Sequence, residues 1–222
     1  MKKPLPKINT SSLDELFTSE EQRQEAKLEK IMELPISDIQ EFKNHPFKVR
    51  QDEQMLKLID SVTENGILVP TLVRPSQDGN GYEMVLGHRR MKAAELNGLD
   101  KVPAIVRDLT DDQATIIMAD SNIQRETILP TERGFAYKMK LEAMKHQGKR
   151  VYSVEKLADE VGESRNQVKR YIRLTELIEP LRDMVDSLRE DKKKIAFNPA
   201  VELSYLSKDN QELVVKSLKN LI

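Results

Sequence analysis

The sequence contains no cysteine and no tryptophan, and only five Phe and five Tyr among 222 residues. The missing cysteines exclude a disulfide framework, Cys-ligated zinc, an iron–sulfur cluster and thiol catalysis together. No apolar run approaches the ~20 residues a membrane helix needs. The N-terminus MKKPLPKINTSS is basic but has no apolar stretch behind it, so it does not read as a secretory signal. Histidines number three, His45, His88 and His146, and they are scattered, which argues against a histidine metal centre. Net charge of one sign is also lacking: 36 Lys+Arg stand against 37 Asp+Glu, a formal −1. These absences leave an intracellular, charge-rich chain of one or two domains.

The near-zero total hides a regional imbalance. Residues 11–33 hold seven acids against three bases, whereas residues 138–173 hold ten bases against five acids. Within the basic region, Ser164–Leu174 has Arg165, Lys169, Arg170 and Arg173 and no acid. A phosphate backbone meets the local field rather than the sum.

Pattern along the chain predicts an α+β class. Residues 1–33 read as an exposed arm with few apolar anchors. Residues 34–126 alternate strand and helix signals. Leu34–Ile36, Thr71–Arg74, Tyr82–Leu86 and Val102–Val106 read as strands, and Gln77–Gly81 as a hairpin turn. Asp52–Asn65 reads as a helix closed by Gly66, and a second helix opens after Gly87. From residue 127 to 222 the pattern is helical, with Pro130 at a first-turn position and Lys192-Lys193-Lys194 as a linker.

Two segments carry chemistry. Residues 153–174, SVEKLADEVGESRNQVKRYIRL, place an N-capping Ser153, the buried-face set Leu157, Ala158 and Val161, and a turn glycine at Gly162. A second capping serine, Ser164, then opens a basic helix. Its Arg165, Asn166, Gln167, Lys169, Arg170 and Arg173 are the donor types that read base edges and phosphates. Two helices around a glycine turn, the second basic, match a helix-turn-helix reader of the major groove. The second segment is Val85-Leu86-Gly87-His88-Arg89-Arg90, a strand running through glycine into a helix. A helix N-terminus with two arginines favours an anion, although the Walker pattern is absent. Asp120-Ser121-Asn122-Ile123-Gln124-Arg125-Glu126 ends the helix after the last strand and is densely polar.

Gly87-His88-Arg89-Arg90, then Ser121-Asn122-Ile123-Gln124-Arg125-Glu126, then the helix-turn-helix, together resemble the ParB family of DNA partition proteins over roughly residues 34–222. Glu64-Asn65-Gly66-Ile67-Leu68-Val69-Pro70 and Leu96–Arg107 support the resemblance. It implies a small mixed-sheet module shared with sulfiredoxin, followed by an all-helical DNA-binding domain. Sulfiredoxin chemistry itself needs a cysteine and is excluded. The resemblance further implies binding of a palindromic, centromere-like double-stranded DNA site, a CTP- and Mg²⁺-gated protein clamp, recruitment of a ParA-type ATPase by the N-terminal arm, and a cytoplasmic homodimer on nucleoid or plasmid.

Carried over by residue, Gly87, His88, Arg89 and Arg90 would hold the triphosphate. Asn122 and Arg125 would lie on the phosphate and magnesium side, with Asn122 the metal residue, and Gly66 near the nucleotide. Ser164, Arg165, Asn166, Gln167, Lys169, Arg170 and Arg173 would meet DNA. The departures are His88 and Ser121 where the family pattern has acids, and a first motif that survives only as Asn44-His45-Pro46-Phe47-Lys48-Val49-Arg50. Missing carboxylates should weaken Mg²⁺ binding and CTP hydrolysis. Family members carry a C-terminal dimerisation domain; the sequence here stops at Ile222, so dimerisation uses either other surfaces or a segment beyond it. A repressor without nucleotide gating is the nearer alternative, and a nucleotide-dependent kinase the more distant one.

Overall fold

The computed structural model describes residues 30–43, 46–47, 49–125, 127–147, 153–187 and 194–220. Five strands form one mixed sheet: β1 (Ile31–Pro35), β2 (Ile39–Glu41), β3 (Thr71–Pro75), β4 (Tyr82–Leu86) and β5 (Lys101–Val106), in the order β1-β5-β3-β4-β2. The β3–β4 and β1–β5 pairs are antiparallel, while β3–β5 and β2–β4 are parallel. The expected hairpin between β3 and β4 is therefore present, and Val73, Met84, Val102 and Ala104 bury the sheet centre.

Two features differ from the sequence reading. β1 starts at Ile31, so the last residues assigned to the exposed arm are part of the sheet. Residues 1–29 lie outside the described residues. The three-residue β2 carries too short a pattern to be recognised locally, and exists because it pairs with β4 across the sheet.

Helix α1 (Glu53–Asn65) begins where Asp52 caps it, its carboxylate accepting from the Met55 amide at 2.8 Å. Helix α2 (His88–Leu96) begins directly after Gly87. Gly87 has φ +109°, and a β-carbon there would lie 2.7 Å from Thr71 Cγ2, so no side chain fits between β4 and β3 at this turn.

Helix α3 (Asp111–Ile123) opens on a capping box between Thr110 and Gln113. It packs along α4 (Pro130–His146): Ala114, Met118 and Ala119 share one buried cluster with Ala136 of α4 and with Phe42, Leu72 and Val85 of the sheet module. Helices α3 and α4 thus pack together on either side of the boundary expected at residue 126. Lys140 of α4 reinforces the join. Its buried ammonium lies 2.7 Å from Asp120 of α3 and 2.9 Å from Glu160 of α5 (Val154–Val161).

Beyond α5 come α6 (Arg165–Arg173), α7 (Glu179–Val185), α8 (Phe197–Leu203) and α9 (Lys208–Asn220). Leu174, Leu177, Leu181, Val185, Ala200, Val201 and Val215 close their core. The Gly148 helix end and most of the lysine linker fall outside the described residues. Among the described residues, no helix is long and apolar enough to cross a membrane.

Candidate nucleic-acid and anion-binding sites

The helix-turn-helix assembles as its sequence pattern demands. Ser153 caps α5, accepting from the Lys156 amide at 3.4 Å, and Ser164 caps α6, accepting from the Gln167 amide at 3.1 Å. Gly162 between them is left-handed at φ 68° and ψ 27°, and ends α5. Leu157, Ala158 and Val168 are buried together with Tyr137 and Leu141 of α4.

The long helix α4 sets the pose of α6. A β-carbon on Gly134 would lie 2.3 Å from the Tyr171 carbonyl oxygen, so the two backbones cross in contact. Arg133 secures the same crossing. Its guanidinium donates to Glu163 in the turn at 2.9 Å and lies 5.2 Å from the Tyr171 ring centroid. Tyr137 meets Tyr171 edge-on, with centroids 5.9 Å apart.

The seven residues expected at DNA divide into two groups. Ser164, Arg165, Asn166 and Lys169 are exposed and Gln167 is half-buried, all on the first turns of α6. Arg165 Nε lies 2.7 Å from Glu155 of α5, an exposed pair. Arg170 and Arg173 turn instead toward α8. Arg170 donates to Asn198 at 2.5 Å over the Phe197 ring. Arg173 donates to the Ser204 hydroxyl at 3.2 Å and to the Ser204 carbonyl, and its guanidinium lies 4.2 Å from the Tyr205 ring centroid. These two are tied into the protein, which leaves the exposed donors on the N-terminal half of α6. Their partners lie about thirty residues further on, beyond the reach of a local pattern.

The second site is built around Arg89 in the first turn of α2. Arg89 makes a two-pronged contact with Asp52, Nη2 to Oδ1 at 2.7 Å and Nη1 to Oδ2 at 3.1 Å. The Asp52 carboxyl is held down to about 2, mainly by the hydrogen bond from Arg89 and further by the Met55 amide and the charges of Arg89 and Arg50. Arg50, just before α1, donates to Glu132 of α4 at 2.7 Å. Arg125, following α3, is within electrostatic range of Arg50, Arg89 and Glu132. Partial desolvation lowers its pKa from the ordinary value, and the two neighbouring guanidiniums add to that against the pull of Glu132. Three arginines from three elements therefore share one region with two carboxylates.

In the sequence, Arg50 stands out only as the last residue of the degraded first motif. Asp52 and Glu132 were not expected at the site. Their signals were the N-cap before α1 and the first-turn acid of α4, both of which read as ordinary helix starts.

The remaining expected residues take different places. Arg90 is directed away from Arg89: its Nη1 donates to the Val69 and Pro70 carbonyls at 2.5 and 2.7 Å, clamping the loop that starts at Gly66. Desolvation lowers its pKa from the ordinary value. Gly66 itself is left-handed in φ and ends α1. His88 is half-buried and lines a cleft of about 580 Å³ with Phe47, Val49, Met91 and Lys92. Asn122 is buried at the last turn of α3. Its amide nitrogen donates to the Met118 carbonyl at 2.8 Å, and its Oδ1 has no hydrogen-bond partner among the described residues.

That single neutral oxygen is a thin basis for a cation. Asp120 is committed to Lys140, and no group of three or more His, Asp or Glu side chains is placed to hold a metal among the described residues. The residues therefore fit a polyphosphate better than they fit Mg²⁺, which favours carboxylate oxygens.

Fold and sites together define a two-part class, an α+β module carrying an arginine cluster, joined through packed helices to a helix-turn-helix. Residues 20–123 match the model of the ParB N-terminal domain. The chain is 39% identical over 147 residues to the chromosome-partitioning protein Spo0J of Thermus thermophilus, covering 66% of this chain and 51% of that protein. It is 29% identical to a C-terminally truncated chromosome-partitioning protein ParB from Caulobacter crescentus complexed with CTP-gamma-S, covering 84% and 98% of the two chains at a TM-score of 0.41. A pNOB8-like ParB N-domain matches in fold at 17% identity and a TM-score of 0.51, covering 88% of this chain and 86% of that one. The chain belongs to the ParB family of partition proteins. It spans about half the length of the curated relatives it matches.

Proposed function

We propose that the protein is a DNA-partition factor that binds a palindromic, centromere-like site through the first turns of α6. The carrying observation is the α5–Gly162–α6 unit, with Arg165, Asn166 and Lys169 exposed on one end of a helix whose pose is fixed by Gly134 and Arg133. Arg is the donor for guanine and Asn for adenine, while Lys169 suits the backbone phosphates. Arg165→Ala should lower binding to a cognate site by about tenfold or more and leave random-sequence binding nearly unchanged. Retained discrimination in the variant at physiological salt would sink the assignment.

Nucleotide control belongs to the same reading. The Caulobacter relative is complexed with CTP-gamma-S, an analogue of CTP. What supports it here is the chain's own arginine cluster. Arg89 at the start of α2, with Arg50 and Arg125, would receive the triphosphate, and Asn122 would lie on the magnesium side. Bound nucleotide would neutralise the three guanidiniums and gate closure of a clamp on DNA. With His88 and Ser121 in place of acids, no side chain at the cluster is assigned a hydrolytic role. Calorimetry with CTP, ATP and GTP in parallel separates the readings. Selective CTP binding supports gating, and no heat with any of them supports a repressor without gating. Recruitment of a ParA-type ATPase by residues 1–33, assembly as a homodimer and residence on the nucleoid or a plasmid complete the proposal. Deleting the arm should abolish stimulation of the ATPase and spare site binding.

A further inference from the structure

Resting on that nucleotide reading, we propose that Asp52 and Glu132 set a charge threshold on the arginine cluster, so that the site selects its ligand by the number of phosphates. The geometry shows the donors already answered. Asp52 faces both terminal nitrogens of Arg89, the pair a phosphate would use. Glu132 Oε2 takes Arg50 and also accepts from the Leu129 amide at 3.3 Å. Arg125 makes no ion pair among the described residues. Two carboxylates thus stand in for phosphates at two of three arginines.

A ligand must displace them to bind. A single phosphate brings a charge of roughly −1.5 to −2, about what the two carboxylates already supply. Exchanging one for the other gains little, since each displaced acid also loses hydrogen bonds. A triphosphate brings three phosphoryl groups to three guanidiniums. It can land at Arg125 and replace both acids with a surplus of bidentate contacts. The two acids sit on firm supports, one an N-cap of α1 and the other in the first turn of α4. They therefore return to the arginines whenever the ligand leaves.

The test titrates the full chain and two variants, Asp52→Asn and Glu132→Gln, with inorganic phosphate, pyrophosphate and tripolyphosphate, alongside CMP, CDP and CTP. Asn caps a helix about as well as Asp, so Asp52→Asn removes the charge and keeps α1. The native chain should show a steep rise in affinity from one to three phosphates. Each variant should bind the short ligands about fivefold more tightly and tripolyphosphate by a smaller factor, which flattens the series. Weaker binding of all ligands by Asp52→Asn would mean that Asp52 positions Arg89, and would overturn the inference. So would an unchanged ratio between long and short ligands. If the ratios flatten but CTP binds no better than ATP or GTP, the cytidine reading fails and this one stands. If CTP is selected and the ratios do not move, the reverse holds. If neither the native chain nor the variants bind any polyphosphate, both fall.

Discussion

Gly134→Ala tests how the reading helix is held. An alanine inside a helix is normally favourable over glycine by about 1 kcal/mol, so propensity alone predicts stabilisation. The crossing predicts the opposite. The new β-carbon would start 2.3 Å from the Tyr171 carbonyl oxygen, 3.0 Å from its carbon and 3.5 Å from Thr175 Cγ2. Carbon–oxygen contacts settle at about 3.3–3.6 Å, so α4 and α6 must part by roughly 1 Å. The nearest atoms are backbone, which cannot rotate aside. Overpacking of this kind costs about 1–3 kcal/mol, and the separation also disturbs Arg133 over Tyr171. With the propensity gain subtracted, overpacking leaves a net loss of about 0–2 kcal/mol, to which the disturbed Arg133 contact adds about 0.5–1 kcal/mol, and the melting temperature should fall by at least about 1 °C for a chain of this size. Thermal and urea denaturation read the stability, and site-specific DNA binding reads the pose of α6. An unchanged or higher Tm in Gly134→Ala would refute the close-crossing account.

Other expectations follow from the same contacts. Arg89→Ala should lose polyphosphate binding, whereas Arg90→Ala should mainly loosen the Gly66–Pro70 loop; calorimetry paired with hydrogen exchange of that loop distinguishes them. Lys140→Met leaves the facing carboxylates of Asp120 and Glu160 without their cation, and should cost about 1–2 kcal/mol in urea denaturation because both acids retain some solvent. Asp52 has a folded pKa of about 2, below its ordinary 3.8. Its contribution is therefore fully present above pH ~4 and lost as pH falls toward 2. Solvent screening holds it to about 1 kcal/mol or less, and Asp52→Asn should remove that part of the acid limb in pH-dependent denaturation.

Local chemistry wrote much of this fold plainly. Asp52 before Met55, Gly87 between strand and helix, and Ser153, Gly162 and Ser164 around α5 and α6 each act on groups a few residues away, so sequence spacing reveals them. Distant partners were not legible. β2 is three residues whose only reason to be a strand is β4, more than forty positions later. Arg170 and Arg173 look like DNA donors until Asn198, Ser204 and Tyr205 come into place beside them. Arg50 could be placed at the cluster only once α4 brought Glu132 to it. Gly134 reads in sequence as a weakness in a helix, and its value is visible only against the Tyr171 backbone.

Glu132 answers an arginine of the cluster, and Gly134, two residues on, is the seat of α6. At 1.5 Å of rise per residue these positions are about 3 Å apart along α4. Helix α6 is consequently no interchangeable cassette. Grafting a foreign α5–α6 pair to read a new sequence would have to keep a bare backbone opposite Gly134, and any shift of α4 to make room would be felt at Arg50. Altering the proposed DNA-reading helix and altering the arginine cluster are, for an engineer, the same problem.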